Sequence, residues 1–147
     1  LLSLLFHIFS GKLQNRQAAD NISSKRQIWI DELRKDFAEF LTIASRVEEL
    51  RRRDKSDITL KEFDDANLRA LELSIRIKLR LNPKEDLHNK LVESIQELFR
   101  GLSNDVSDET TEQEMVVRKN FLENRSAIVT QLQAILKYEW ERVKSGN

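Results

Sequence analysis

Glu85-Asp86-Leu87-His88 is the stretch of this chain whose residue types and spacing come nearest to a ligand set for a metal. Glu-x-x-His places a carboxylate and an imidazole on one face of a helix, the arrangement that feeds a di-iron centre inside a helical bundle. Such a centre needs two of these motifs and two further Glu, and the second motif is missing. The sequence therefore predicts Glu85 as a first-turn carboxylate, His88 as a surface residue, and no metal or other cofactor. The other histidine, His7, lies in an apolar segment, and cysteine is absent. Without Cys there are no disulfides, zinc–thiolate sites or thiol nucleophiles. No Gly-rich phosphate loop and no Gly-x-Ser-x-Gly occurs, so the residues that nucleophilic or phosphoryl chemistry requires are missing. The expectation is a protein that is not an enzyme.

Two basic clusters have the density to meet phosphates: Arg51, Arg52, Arg53 and Lys55, and Arg76, Lys78, Arg80 and Lys84. Both fall at the C-terminal ends of expected helices, where the helix dipole favours cations in any case. Glu48, Glu49, Asp54 and Asp57 dilute the first cluster. Arg76, Arg80 and Lys84 have fewer acids beside them in sequence and form the candidate nucleic-acid-binding set, with Arg51, Arg52, Arg53 and Lys55 as the second. Antiparallel helices would put these clusters at opposite ends of a bundle. The chain as a whole exerts no field toward nucleic acid, because its 25 basic and 25 acidic residues cancel.

The elements that would position these residues are helices. Gly occurs three times and Pro once in 147 residues, a helix-forming composition. Ile30, Leu33, Phe37, Phe40, Ala44 and Val47 alternate spacings of three and four, the seam of a helix packed along its length. Ser24 is the expected N-cap, with an unbroken run from upstream as the alternative. The pattern fades at Arg51-Arg52-Arg53. Thr59 to Glu62 has capping-box spacing, flanked by Ile58 and Phe63 as a staple. Leu71, Leu73, Ile75, Ile77, Leu79 and Leu81 alternate like a strand, but Glu62, Asp65, Arg69, Glu72, Arg76 and Arg80 keep helical spacing. That charged stripe is expected to be the wet face of a second helix. The apolar remainder predicts a central helix, with Leu71 and Ile75 in the core.

Asn82-Pro83 ends the second helix and is expected to start the third, with Asn82 as N-cap and Pro83 in the first turn. Leu87, Leu91, Ile95, Leu98 and Leu102 give it one apolar face, ending near Gly101. An acidic loop precedes Thr111 to Glu114, a second capping box. From there Val117, Phe121, Ile128, Leu132, Ile135 and Val143 predict a fourth helix. Trp29 and Trp140 are expected near the same end of the bundle, each partly buried with its indole N–H bonded at the rim.

The start differs from all of this. Leu1, Leu2, Leu4, Leu5, Phe6, Ile8 and Phe9 cover every side of a helix, as in a lipid-facing or fully buried segment. Ten residues rise only about 15 Å, half a bilayer core. The sole Met is Met115, so translation is expected to begin upstream and residues 1–11 to be the end of a transmembrane helix. Lys12, Arg16, Lys25 and Arg26 follow against Asp20 alone, which marks the cytoplasmic side. Residues 12–147 are then expected to be a cytoplasmic helical bundle at the inner membrane. The fold class predicted is all-α, about four helices, with the first continuing from the membrane segment.

Arg26-Gln27-Ile28-Trp29-Ile30-Asp31-Glu32-Leu33-Arg34, following that apolar segment, resembles a motif of small bacterial membrane proteins, most of them uncharacterised. Those proteins pair it with a C-terminal segment similar to Leu136-Lys137-Tyr138-Glu139-Trp140-Glu141-Arg142-Val143-Lys144. Some resemble the membrane effectors of anti-phage systems, including the Hailong type, in which an oligomeric membrane protein is held in check by a nucleic-acid signal. The resemblance implies a homo-oligomer that opens or disrupts a membrane, an ion channel or pore in antiviral defence. It also implies an oligonucleotide or nucleotidyltransferase-type partner. It transfers no catalytic residues. The alternative expectation is a membrane-tethered or soluble helical scaffold that binds a partner protein.

Overall fold

The structure, a computed structural model, describes residues 2–53, 57–102 and 111–145; within these, side chains are described except at 2–12, 15 and 57–59. Four helices make up the described chain: α1 (Leu2–Arg51), α2 (Asp57–Arg80), α3 (Asp86–Leu102) and α4 (Thr111–Ser145). The fold is an all-α four-helix bundle, with no strand among the described residues.

Successive helices run antiparallel. Arg46 bonds Glu62 near one end of the α1–α2 pair, and Trp29 bonds Arg80 near the other. Phe40 and Phe99 meet toward the upper end while Trp29 and His88 stack at the lower, so α3 runs parallel to α1. Helix α1 packs against α2 on one side and α4 on the other, and α3 pairs with α4. The central helix is therefore α1, not α2. Its seam Ile30, Leu33, Phe37, Phe40, Ala44, Val47 is buried along its whole length. Ala70, Leu73, Ile77 and Leu81, then Leu91, Ile95, Leu98 and Leu102, then Phe121, Ile128, Leu132, Ile135 and Leu136 complete one continuous core.

Helix α1 is 50 residues long, about 75 Å at 1.5 Å per residue. Neither Gly11 nor Ser24 interrupts it; a helical Gly costs about 1 kcal/mol relative to Ala but creates no clash. Of the two expectations for Ser24, the unbroken run is the one found. Below Arg26 the described side chains of α1 are mostly exposed, Leu13 among them, and Ile22 and Lys25 edge the pocket at the base of the bundle. No helix among the described residues is long and apolar enough to cross a membrane.

Helix α2 is helical through Leu71 to Arg80, as the charge spacing predicts. Its orientation differs from expectation. The charged stripe faces α1: Arg46 pairs with Glu62, Arg69 with Glu39, and Arg76 and Arg80 with Asp36. Complementary carboxylates on α1, out of sight in local sequence, draw that face to the edge of the α1–α2 contact, where Glu62, Arg69, Glu72 and Arg76 stay about half exposed. Leu68, Leu71, Ile75 and Leu79 are left exposed.

The α2–α3 connection corrects a second expectation. Asn82 caps the turn and not the helix. Its Oδ1 accepts from Lys84 N–H (3.1 Å), while Glu85 N–H donates to the Asn82 carbonyl (3.1 Å) and the Glu85 carbonyl accepts from Asn89 (3.1 Å). Pro83 thus occupies the second position of a tight turn, where its fixed φ suits it, and α3 starts at Asp86. On α3 the buried series is His88, Leu91, Ile95, Leu98, Leu102, with Leu87 turned outward.

Candidate functional site

The polar residues of greatest interest gather at the base of the bundle, where residues 26–34 of α1, the α2–α3 turn and the end of α4 meet. The geometry follows from three apolar seams, each continued one step by a polar residue. Extending Ile30-Leu33-Phe37 back by four gives Arg26. Extending Leu98-Ile95-Leu91 back by three gives His88, and extending Leu132-Ile135 on by four gives Glu139. All three side chains therefore point inward at the same level.

Trp29 Nε1–H donates to the Arg80 carbonyl (3.0 Å), satisfying one of the acceptors left open at the end of α2. Its ring stacks on His88, centroids 6.2 Å apart and planes 23° from parallel. His88, expected at the surface, is only 3% exposed. Its Nδ1 accepts from the Asn82 backbone N–H at 2.9 Å, which assigns the ring proton to Nε2. That nitrogen points to Glu85, 3.6 Å away. Buried Glu139 is held from both sides, by Arg26 Nε at 3.3 Å and Arg142 Nη1 at 3.1 Å. Arg142 also reaches Glu85 at 3.9 Å.

Glu85, His88 and Glu139 offer ligand atoms within 4.8 Å of one another, so the fold supplies the third donor that the Glu-x-x-His motif lacked in sequence. The surrounding bonds decide its chemistry. A metal on Nε2 requires that nitrogen's lone pair, yet the Asn82 amide occupies Nδ1 and leaves the proton on Nε2. Both Glu139 oxygens are already engaged by guanidinium groups. The constellation is an ionic clasp that ties α1, the turn and α4 together.

Directly above it lies the second polar feature. Asp36, 4% exposed, accepts from Arg80 Nε at 2.9 Å and lies 3.5 Å from Arg76 Nη1. Arg80 also pairs with Glu32, and Arg76 with Glu72 at 2.7 Å. Burial works to lower the Arg80 pKa, but its bonds to Glu32 and Asp36 outweigh that and leave it raised. The hydrogen bond from Arg69 holds the Glu72 carboxyl below its ordinary range.

These pairs bear on the candidate phosphate sites. Arg76 and Arg80 are expected to have few acids beside them; Glu72 is the i−4 neighbour that the helix itself gives Arg76, and the fold adds Asp36 and Glu32 from α1. Lys84 is exposed on the turn. In the second cluster Arg51 is buried, Arg52 pairs with Glu48 at 2.9 Å, and Arg53 pairs with Glu49. Lys55 lies outside the described residues. The two clusters occupy opposite ends of the bundle, as antiparallel packing requires. Trp140 sits at the base with Trp29, in a groove with Gln27, Arg34, Leu136 and Lys137.

Asp36 was not singled out from sequence, and Arg26, Glu139 and Arg142 entered only through the basic flank and the segments of the resemblance, not as members of a site. For Arg26 and Glu139 a signal existed, their phase with the adjoining seam. For Asp36, which precedes seam residue Phe37, the partners are 40 and 44 residues away and nothing local marks them. No family model, no curated protein and no solved structure matches this chain.

Proposed function

We propose that the protein is a non-enzymatic, membrane-tethered helical scaffold, in which α1 is both the central strut of the bundle and the arm that carries it. One observation supports this reading above the others: α1 runs unbroken from the apolar Leu2–Phe9 segment into the core. A helix that is polar on all sides between two packed or anchored ends acts as a rigid spacer. The 16 residues from Ser10 to Lys25 set the bundle off from the apolar segment by about 24 Å. The polar clusters at the base serve as internal ties, since their carboxylates and guanidinium groups engage each other.

Flotation of the full chain with neutral phosphatidylcholine vesicles tests the tether. The protein is expected to rise with the vesicles, and a chain carrying Leu4→Glu and Phe6→Glu to stay at the bottom with its helical signal intact. Wild-type protein left at the bottom would remove the reading.

A second reading, regulation of a pore-type effector in antiviral defence, draws support from one juxtaposition. The segments 26–34 and 136–144 that carry the resemblance lie side by side, joined by Arg26–Glu139. Under that reading the pair is a single functional surface. Expression of the full-length protein would then depolarise the bacterial membrane, and Glu139→Ala would alter that response; an unchanged membrane potential would reject it.

A further inference from the structure

Helix α2 has three faces. One enters the core through Ala70, Leu73, Ile77 and Leu81. The second is the row of ion pairs to α1. The third is a second apolar seam that faces mostly outward, with Phe99 of α3 bordering it beside Leu68 and Leu71: Leu60, Leu68, Leu71, Ile75 and Leu79, exposed by 46, 65, 48, 49 and 82%. Asp64 falls in the gap between Leu60 and Leu68, so the series keeps steps of three and four throughout. Rotating α2 to bury this seam would pull Arg69, Arg76 and Arg80 away from Glu39 and Asp36, so the ion pairs fix it facing outward. From Leu60 to Leu79 it runs about 29 Å along a face about 10 Å wide. That area, with Asp64 and Lys78 included, is about the size of the largest apolar patch on a typical monomer, which is often functional.

We propose that this seam is the contact between two copies of the chain, with α2 packed antiparallel on the α2 of a second copy about a two-fold axis near Leu71. Charge selects both the partner and the direction. Asp64 and Lys78 lie on the seam, each seven residues from Leu71 on opposite sides, and neither belongs to the α1–α2 ion pairs. In an antiparallel pair each Asp64 faces the other copy's Lys78, twice over. A parallel pair would set Asp64 against Asp64 and Lys78 against Lys78, and like charges at such positions repel. A face that is its own complement under a two-fold is what an isologous dimer requires. One helix per copy makes a small interface, so the dimer is weak, and antiparallel packing sends the two α1 arms toward opposite ends of the pair. The contact rests on α2 alone and is independent of the membrane tether.

Sedimentation of the full chain in mild detergent across the micromolar range tests the dimer, separately from the vesicle assay. Wild type is expected to show reversible monomer–dimer behaviour. Leu71→Glu should weaken it about tenfold or more, because two carboxylates would meet at the axis, with melting unchanged at this half-exposed position. Lys78→Glu and Asp64→Lys should each weaken association, and the double variant should restore it. Because the chain has no Cys, Leu60→Cys accepts a single spin label; labels across an antiparallel pair should sit about 33 Å or more apart. A monomer at every concentration, a dimer indifferent to Leu71→Glu, a double variant no better than the singles, or labels within about 15 Å would each overturn the proposal.

Discussion

The seam of α1 and the outer seam of α2 have the same sequence character and opposite fates. Ile30, Leu33, Phe37, Phe40, Ala44 and Val47 step by three and four and are sealed from solvent; Leu68, Leu71, Ile75 and Leu79 step the same way and face it. Hydrophobic spacing fixes an angle about a helix's own axis and says nothing of what stands opposite. In α1 the opposing surfaces come from α2, α3 and α4. In α2 the ionic face determines which of two apolar faces turns inward, because Asp36 and Glu39 wait on α1 for its arginines.

The largest effect that sharpens this contrast is a pair of truncations. Phe40→Ala removes a buried ring that packs on Phe37 and Phe99 and should cost about 3–5 kcal/mol. Leu71→Ala, at a half-exposed position, should cost under about 1 kcal/mol. Denaturant unfolding of both variants measures the gap. Equal losses would mean that the two seams are not distinguished by burial.

Next is the tie that orients α2. Asp36→Ala leaves Arg76 without its partner across the helices and Arg80 with Glu32 alone, and should cost about 1–3 kcal/mol. Asp36→Asn, which keeps an acceptor for Arg80 Nε, should fall between that variant and wild type in thermal melts. If α2 holds its orientation by apolar packing alone, Asp36→Ala will be neutral.

A smaller loss is expected at the base. Trp29→Phe keeps a ring against His88 but removes the donor to the Arg80 carbonyl, a loss of about 0.5–1.5 kcal/mol. Hydrogen exchange at the end of α2 should rise in this variant, and unchanged exchange there would show the bond to be dispensable.

The least effect concerns acid. The hydrogen bond from Arg69 lowers the Glu72 pKa from its ordinary 4.5, and the hydrogen bond from Arg46 does the same for Glu49. A lowered carboxyl stabilises the fold in full above that ordinary value and loses its contribution as pH falls through the lowered one. The melting temperature of wild type should therefore exceed that of Glu72→Gln slightly near neutrality. The difference should close as pH drops below 4.5, and a difference that widens in acid would contradict the assignment.

By itself the sequence determined four helices, most of their approximate ends and the phase of the α1, α3 and α4 seams, since propensity and spacing act within a few residues of one another. Helix rather than strand at Leu71 to Arg80 was legible for that reason. The expected caps at Ser24 and Asn82 and the core phase of α2 did not hold. Arg26 and Glu139 were legible in principle, as polar residues in phase with apolar seams. Only the tertiary structure decided that α1 and not α2 is central, that the charged stripe of α2 flanks the contact with α1, that His88 is buried, and that Glu85, His88 and Glu139 converge. Each of those outcomes depends on groups tens of residues apart whose charges and hydrogen bonds become complementary only when the helices pack. The energy that selects among equivalent helix faces lies in those pairings, and no local pattern contains it.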